Sequence, residues 1–200
     1  MSELTAGQTA SAKRVVLHVG CGPRRHDTLH PRFQTPGWRE LRLDIDERVQ
    51  PDLVASVTSM PAVANASADA VWCSHNLEHL HPDEVPLALA EFRRVLKPGG
   101  FALIAVPDLQ AAAELVVADR AGEVAYSSPA GPITALDLIY GFRGYTRDNP
   151  YMLHRTGFTA RTLIRTLAQA GFARVQVERR QFELLAEALN TAASDTGTPS

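Results

Sequence analysis

One unit of the sequence restricts the possible folds more than any other: a predicted helix that ends in a Lys-Pro-Gly-Gly turn and leads directly into an apolar strand. Residues 82–96 are predicted to form the helix because their apolar side chains recur at helical spacing, at Val85, Leu89, Phe92 and Leu96. Residues 101–106 are apolar throughout, as strands buried on both faces of a parallel sheet tend to be. The unit therefore predicts an α/β fold with a central parallel strand.

The rest of the chain continues this alternation of strands with helical or turn-rich segments. Predicted strands cover 15–19, 41–44, 53–56, 70–73, 175–177 and 182–188, and further helices cover 109–118 and 160–170. Such alternation indicates a doubly wound α/β sheet that is mainly parallel. The last two strands have no helix between them, so they form a hairpin and the final strand is antiparallel. Ligands of such sheets bind outside the carboxyl ends of the strands, at the topological switch point.

Composition excludes several classes of protein. The chain has 200 residues, of which 45% are hydrophobic and 21% charged, as in one globular domain. Its longest apolar run has six residues, too few to cross a membrane, and its net charge of −2 argues against binding nucleic acid over the whole surface. Its two Cys residues form neither a disulfide framework nor a four-ligand zinc site, so no metal site is predicted. The polar start lacks the apolar stretch of a secretory signal, and a cytoplasmic location is expected.

Domain organisation follows from local composition. Residues 1–12 and 190–200 are rich in small polar residues and are predicted to be disordered tails, which leaves one domain over 13–189. Within that domain, 119–157 is rich in Gly, Pro and Tyr and is predicted to be irregular. The connections at 23–40 and 45–52 are short or contain several Pro residues, so one face of the sheet lacks helices. We expect residues 119–157 or a second copy of the chain, in a homodimer, to cover that face.

Charge is distributed unevenly along the chain. Residues 44–91 hold nine acids and one Arg, whereas residues 143–180 hold eight Arg and two acids. The basic segment would fit an anionic ligand that carries a carboxylate or phosphate. A solvated basic surface is the alternative interpretation.

Two of the predicted strands end in residues that suit a ligand site. The first strand is followed by Gly20-Cys21-Gly22, where two glycines permit a tight turn and a close approach of a ligand to the backbone. The turn has neither the third glycine of a dinucleotide-binding motif nor the Gly-Lys-Ser/Thr of a P-loop. Asp44 ends the second strand, where an acid can accept hydrogen bonds from ribose hydroxyls. An acid there can also simply cap the next turn.

Taken in order, these features resemble the class I S-adenosylmethionine-dependent methyltransferases, especially their compact bacterial methyltransferase-11-like branch. The resemblance covers about residues 14–189. It rests on the motifs at 16–22, 43–46, 74–80, 94–100 and 106–108, with further matches at 154–158 and 170–172. It implies a Rossmann-like sheet of seven strands with the last one reversed, and S-adenosylmethionine as the methyl donor. It also implies that residues 119–157 form a lid over the acceptor site.

The resemblance also assigns residues to the donor site. By position, Gly20 and Gly22 line the methionine side of the donor, Asp44 binds its ribose, and Ser74 and His75 lie beside the sulfonium. The complete set of cofactor-binding residues that it implies is His18, Gly20, Cys21, Gly22, Asp44, Ile45, Ser56, Val57, Ser74 and His75.

Three positions depart from the usual pattern of this family. His18 stands where an acid is usual, Arg24 where a small residue is usual, and Ser56 where an acid commonly holds the adenine amino group. A neutral hydroxyl is a weaker acceptor than a carboxylate, so Ser56 binds adenine less strongly. The glycine turn and Asp44 are unchanged, and donor binding is still expected.

Two histidines are candidates for the general base that methyl transfer needs when the acceptor must lose a proton. His75 follows the fourth predicted strand, and His154 lies in the predicted lid. For both, the alternative is a wall residue or a hydrogen-bonded structural histidine. Glu78 and His79 are interpreted as structural.

The sequence as a whole predicts an enzyme that transfers the methyl group of S-adenosylmethionine to a small-molecule, anionic acceptor. One alternative is a methyltransferase that acts on protein or nucleic acid. Another is a non-catalytic protein that binds S-adenosylmethionine. Neither a membrane nor a nucleic acid is expected as a partner.

Overall fold

Nine strands occur within residues 12–25, 28–146 and 149–191, the part of the chain that the computed structural model describes. They are β1 (Arg14–Val19), β2 (Trp38–Asp44), β3 (Leu53–Val54), β4 (Ala68–Ser74), β5 (Leu96–Pro107), β6 (Val124–Ser128), β7 (Gly131–Thr134), β8 (Arg174–Arg180) and β9 (Glu183–Leu189). Seven of them form one sheet in the order β3-β2-β1-β4-β5-β9-β8, while β6 and β7 form a separate hairpin. The first five strands are parallel, and β9 pairs antiparallel with both β5 and β8. The predicted seven-stranded, mainly parallel sheet with a reversed last strand is confirmed.

Five α-helices occur in the same described residues. They are α1 (Val85–Val95), α2 (Leu109–Val117), α3 (Ala135–Tyr140), α4 (Arg143–Thr146) and α5 (Ala160–Gln169). The cap predicted for α5 is confirmed, because Thr159 accepts a hydrogen bond from the backbone N–H of Thr162 and Thr162 bonds back in a capping box. The helix predicted over 82–96 begins only at Val85, after residues that form turns. None of the helices described here is both long and apolar enough to cross a membrane.

The larger core lies between one face of the sheet and helices α1 and α5. Leu17, Val71 and Ile104 contribute side chains from the sheet, and Phe92 and Leu163 contribute side chains from the two helices; all five are fully buried. Burying a side chain of this size stabilises the fold by about 1.5–3 kcal/mol. This layer holds the strand ends, and therefore the site described below, on a rigid support.

The opposite face of the sheet is covered by the connection between β1 and β2. Phe33 from a 3-10 turn (Pro31–Phe33) packs edge-on against Trp38 with ring centroids 4.9 Å apart, and it stacks on Phe101 of β5 at 6.1 Å. The prediction that 119–157 covers this face is wrong, because that segment packs in a separate cluster on α2. The homodimer stays a prediction.

Residues 119–157 are more regular than predicted. They contain the β6–β7 hairpin and the helices α3 and α4. Ile133 and Leu138 pack against Ala112 of α2 in a small core of their own. Thr134 caps α3 through reciprocal hydrogen bonds with Asp137. These elements are too short to produce a recognisable hydrophobic period, and their contacts with α2 stabilise them instead.

The ordered chain extends further than the predicted boundary at residue 189. Asn190 is 7% exposed, and its side-chain amide donates to the carbonyl oxygen of Leu96 at 3.0 Å. Its backbone bonds to the N–H of Gly99 and to the carbonyl oxygen of Gly100, both at 2.8 Å. Asn190 therefore closes the Lys-Pro-Gly-Gly turn. Residues 1–11 and 192–200 of the predicted tails lie outside the described residues.

Candidate functional site

A cavity of about 1330 Å³ lies at the carboxyl ends of β1, β2 and β4. This is the switch point of the sheet, where β1 has β2 on one side and β4 on the other. Every site residue that the sequence predicts lines this cavity. They are His18, Gly20, Cys21, Gly22, Asp44, Ile45, Ser56, Val57, Ser74, His75 and His154.

The glycine turn after β1 has a backbone that suits glycine at both positions. Gly20 and Gly22 both have φ +59°, in the left-handed region that costs a larger residue energy. A Cβ atom on Gly20 would lie 2.2 Å from Nδ2 of Asn76, so this amide packs directly on the turn. A Cβ atom on Gly22 would have no neighbour within 4 Å, so open space adjoins the backbone there.

Asp44 joins the glycine turn to the end of β2. Its Oδ2 accepts a hydrogen bond from the backbone N–H of Gly22 at 2.8 Å, and its Oδ1 accepts one from the N–H of Asp46 at 2.9 Å. An ionised carboxylate has about four acceptor sites. Two of them therefore remain for a ligand in the cavity.

Arg42 fixes the same turn from within the sheet, and it was not among the predicted site residues. Its side chain is buried, and the guanidinium donates to the carbonyl oxygens of Gly22 and of Gln50, the latter at 2.9 Å. Gly22 is thus held at its N–H by Asp44 and at its carbonyl by Arg42. A charged residue known to be buried within a strand would have indicated this role. The sequence contains many arginines, however, and does not show which of them are buried.

His18 occupies the position where the resemblance expects an acid. Its ring is buried, and Nδ1 lies 2.7 Å from Oε1 of Glu40 on the neighbouring strand. Glu40 of β2 therefore places a carboxylate next to position 18, where the resemblance expects an acid. His18 faces the cavity as a hydrogen-bonded histidine.

Ser56 and its neighbours form a mainly apolar part of the wall. The Ser56 hydroxyl lies 2.8 Å from that of Thr58 and also accepts the backbone N–H of Thr58 at 3.2 Å. Because these local bonds occupy it, this hydroxyl is a weak partner for a ligand. Val57 is buried, but the Ile45 side chain is 51% exposed beside Asp44. The wall thus offers an apolar surface next to the carboxylate.

His75 is held between two carboxylates. Its Nδ1 lies 3.2 Å from Oε1 of Glu78, and its Nε2 lies 3.2 Å from Oε2 of Glu183. The enclosing protein alone would lower the pKa of His75, but the two carboxylates outweigh that effect and raise it to about 10. A ring that stays protonated at neutral pH cannot accept a proton. This arrangement does not favour His75 as a general base, and that role stays a prediction.

Glu78 joins His79 and His154 in a second polar cluster beside His75. One possible ligand atom from each of the three residues lies within 4.8 Å of the other two. Glu78 is 1% exposed, and its Oε2 has no hydrogen-bond partner among the residues that the structure describes. Burial would raise the pKa of this carboxyl, but the neighbouring histidines outweigh it and lower the pKa. Glu78 is therefore ionised.

His154 keeps a neutral ring, unlike His75. Burial lowers the pKa of His154. Its Nδ1 lies 2.9 Å from the carbonyl oxygen of Leu138, which fixes Nδ1 as the donor and leaves Nε2 with a lone pair. His79 is oriented in the same way, since its Nδ1 lies 3.2 Å from the carbonyl oxygen of Leu153. A general-base role for His154 stays a prediction, and the free lone pair on Nε2 is compatible with it.

The segment 119–157 forms one wall of the cavity. Three of the four tyrosines at this wall face the cavity, whereas Tyr140 is 62% exposed outside it. The residues that this wall contributes include Tyr126, Leu138, Tyr145, Tyr151, Met152 and Arg155.

The basic residues of the stretch 143–180 are placed differently with respect to the cavity. Arg155 and Arg180 line it. Arg143 is paired with Asp137, with 3.1 Å between Nε and Oδ1, and does not line the cavity. Arg161 and Arg165 are exposed on α5, also away from the cavity. Arg147 lies outside the described residues. The anionic acceptor therefore stays a prediction.

Sequence reasoning interpreted Glu78 and His79 as structural and did not consider Glu183, whereas the structure places all three beside His75 or His154. Glu78 and His79 are adjacent in a 3-10 turn (Leu77–His79), a local structure without a periodic signature. Glu183 comes from the start of β9, far along the chain. The signal that could have pointed to the cluster is the Glu-His pair directly after a strand, together with a distant His154.

Comparison with known proteins gives a consistent family relationship. Residues 17–104 match the family described as "Methyltransferase domain". A curated relative, the probable methyltransferase ltbC of Aspergillus luteorubrus, is 32% identical over 106 residues, which are 42% of this chain. This chain spans 37% of the length of that relative.

Solved structures share the fold over most of the chain. The 1,6-didemethyltoxoflavin-N1-methyltransferase of Burkholderia thailandensis, solved with 1,6-didemethyltoxoflavin and S-adenosylhomocysteine, superposes with a TM-score of 0.56 at 23% identity. That similarity covers 90% of this chain and 72% of the other. The PH0226 protein of Pyrococcus horikoshii superposes with a TM-score of 0.58 at 15% identity, over 90% of this chain and 84% of the other.

Proposed function

We propose that this chain is a class I S-adenosylmethionine-dependent methyltransferase and that it transfers the methyl group of S-adenosylmethionine to a small molecule bound in the cavity. The observation that carries the proposal is the junction of the glycine turn with Asp44 at the switch point. There a backbone with open space beside Gly22 adjoins a carboxylate with unused acceptor sites. A nucleoside that carries an amino-acid chain needs both features.

The residues present fit this donor. Asp44 would accept hydrogen bonds from the ribose hydroxyls, while Ile45 offers an apolar surface beside it for the adenine ring. Gly20 and Gly22 would lie along the methionine part, where no side chain blocks the approach to the backbone at Gly22. Ser74 would lie near the sulfonium, at the end of β4. Arg42 would hold the glycine turn in the conformation that leaves the backbone at Gly22 open to the donor.

The chemistry of the donor determines what the protein must supply. S-adenosylmethionine brings a methyl group that is already activated by a sulfonium. The protein then mainly has to hold the acceptor lone pair in line with that methyl group, about 3 Å away, and exclude water. The wall built from 119–157 encloses the acceptor side of the cavity with side chains such as Tyr126, Tyr145 and Tyr151.

A small acceptor suits the shape of the site. The cavity is bounded by the glycine turn on one side and by 119–157 on the other, with aromatic and aliphatic side chains between them. The Burkholderia relative is a small-molecule methyltransferase by its name, which is compatible with this interpretation. His154 is the residue placed to accept a proton directly, because His75 is bound between Glu78 and Glu183.

Calorimetric titration of the full chain with S-adenosylhomocysteine tests this proposal. We expect saturable 1:1 binding for the wild type and a loss of at least about tenfold for Asp44→Ala, because hydrogen bonds to a charged group contribute about 1.5–3 kcal/mol. Glu47→Gln is the matched control, since Glu47 is a nearby exposed acid that does not line the cavity. Absence of binding at millimolar ligand, or equal affinity of Asp44→Ala and Glu47→Gln, would refute the assignment.

A further inference from the structure

Donor binding does not use the cluster of Glu78, His79 and His154. One carboxylate oxygen and one ring nitrogen of each histidine lie within 4.8 Å of one another. Two imidazoles and one carboxylate are a ligand set that first-row divalent metals take up, with positions left open for other ligands. From this arrangement we propose that Glu78, His79 and His154 bind a divalent transition-metal ion at the inner wall of the cavity.

The backbone orients both imidazoles as metal-binding histidines are usually oriented. Nδ1 of His154 lies 2.9 Å from the carbonyl oxygen of Leu138, and Nδ1 of His79 lies 3.2 Å from that of Leu153. A ring that donates its Nδ1–H to a carbonyl presents an unprotonated Nε2 to a metal. The ring centroids are 5.0 Å apart, so the two nitrogens can serve one ion.

Glu78 supplies an independent observation that a ligand is missing from the cluster. The residue is 1% exposed, and its Oε2 is buried without a hydrogen-bond partner among the described residues. An unpaired carboxylate oxygen in a protein interior is costly, and a cation would satisfy it. The other oxygen, Oε1, is held by His75, which fixes the orientation of the carboxylate. His75 is therefore a positioning residue for this ligand.

The open side of the proposed metal site faces the cavity. All three ligand residues line the cavity, on the same wall as Tyr151 and Met152. Three protein ligands leave room for water or for an oxygen atom of a bound molecule. This part of the inference rests on the proposed function: an acceptor hydroxyl bound to the ion would have a lowered pKa and would lose its proton to water before its oxygen attacks the methyl group. His154 then acts as a ligand of the ion.

Titration of the metal-free, untagged full chain with Co²⁺ tests the metal site. Co²⁺ bound by nitrogen and oxygen ligands absorbs visible light, so binding is measured without any assay of activity. We expect one equivalent to bind to the wild type, and Glu78→Gln and His154→Gln each to weaken binding at least about tenfold. His81→Gln is the control, because His81 is an exposed neighbour outside the cluster and its loss should change nothing.

Two outcomes would overturn the metal site. One is the absence of saturable Co²⁺ binding to the wild type in a calorimetric titration that reaches about 100 μM Co²⁺. The other is an equal loss of affinity in His81→Gln and His154→Gln. If the cluster variants do not fold, proton NMR of the Co²⁺-loaded wild type replaces them. Two ring N–H signals, from His79 and His154, are expected to be shifted by the bound ion. The absence of any shifted ring N–H signal would refute the site.

The metal site and the donor site can fail separately. S-adenosylhomocysteine binding is measured on the metal-free chain, where Asp44 and the glycine turn are intact. Loss of Co²⁺ binding with normal S-adenosylhomocysteine binding overturns only the metal site. Normal Co²⁺ binding without S-adenosylhomocysteine binding overturns only the proposed donor site.

Discussion

At the residue scale, the glycine turn shows how one backbone conformation serves both folding and ligand binding. Gly20 and Gly22 share φ +59°, yet their surroundings differ. Gly20 is packed against Asn76, whereas Gly22 adjoins open space. The first glycine is therefore needed mainly for packing, and the second mainly for access by a ligand.

Alanine substitutions should separate these two roles. Gly20→Ala places a methyl group 2.2 Å from Nδ2 of Asn76. We expect it to lose more unfolding free energy than Gly22→Ala, for which the left-handed backbone alone costs about 1–2 kcal/mol. Gly22→Ala should instead lower the affinity for S-adenosylhomocysteine. Urea denaturation and calorimetry measure the two effects.

Gly122→Ala is the matched control for this pair. Gly122 lies in a turn outside the cavity, and a Cβ atom added there would have no neighbour within 4 Å. Its substitution should change neither stability nor affinity by much. Equal destabilisation by Gly20→Ala and Gly122→Ala would contradict the packing role of Gly20.

The two thiols give a prediction about reactivity. Burial raises the pKa of Cys21 to about 11 and also raises the pKa of Cys73. A raised pKa keeps the thiol protonated, and only the thiolate reacts readily. Iodoacetamide at pH 8 should therefore label both cysteines slowly in the native chain and rapidly in urea, as measured by mass spectrometry. Rapid labelling of native Cys21 would show that its thiol is neither buried nor protonated.

At the scale of elements, β2 is the strand that shapes the proposed donor site. It carries Asp44 and Arg42, which hold the N–H and the carbonyl of Gly22. It also carries Glu40, the partner of His18. The cofactor side of the cavity therefore depends on the register of β2 against β1, in which His18 lies opposite Arg42.

Arg42→Met tests this dependence. Methionine keeps much of the buried volume but removes the hydrogen bonds to Gly22 and Gln50. We expect the affinity for S-adenosylhomocysteine to fall about tenfold, since each lost bond from a charged donor is worth about 1.5–3 kcal/mol. Arg39→Met, at an exposed position of the same strand, is the control. Unchanged calorimetric affinity in Arg42→Met would contradict the anchoring role.

Asn190, near the end of the described chain, is predicted to stabilise the junction between α1 and β5. Asn190→Ala removes the amide that donates to the carbonyl oxygen of Leu96 within the junction of α1 and β5. We expect it to lower the unfolding free energy by about 1–3 kcal/mol, because a buried carbonyl loses its partner. Thr191→Ala, at the exposed neighbouring position, should have little effect. Equal urea midpoints for the two variants would show that the Asn190 hydrogen bond to Leu96 does not stabilise the fold.

The sequence predicted elements best where a local pattern determines them. The helix of α1 and the strand of β5 followed from an apolar stripe and an apolar run, and α5 followed from its Thr159 cap. The β6–β7 hairpin and α3 were missed because their stability comes from packing on α2. Among site residues, Asp44 was found from its place after a strand. Arg42 and Glu78 were missed because burial and distant partners decide their roles.

At the scale of the whole molecule, the sheet is covered unequally on its two faces. Helices α1 and α5 cover one face, while the β1–β2 connection covers the other with Phe33 and Trp38. The short connections in the sequence predicted that one face of the sheet has fewer helices than the other. Which segment covers the second face of the sheet could not be predicted, because the sequence does not show on which face the aromatic residues of a loop pack. The basic stretch of the sequence contributes Arg155 and Arg180 to the cavity lining, whereas Arg143 is paired with Asp137.

The central claim is that the cavity at the switch point binds the methyl donor through the glycine turn and Asp44. A crystal structure of the full chain with S-adenosylhomocysteine tests it most directly. We predict density for the ligand with its ribose hydroxyls on the carboxylate of Asp44 and its amino-acid part along Gly20 and Gly22. Ligand density elsewhere on the chain, with the Asp44 carboxylate contacting only the backbone N–H groups of Gly22 and Asp46, would contradict the account.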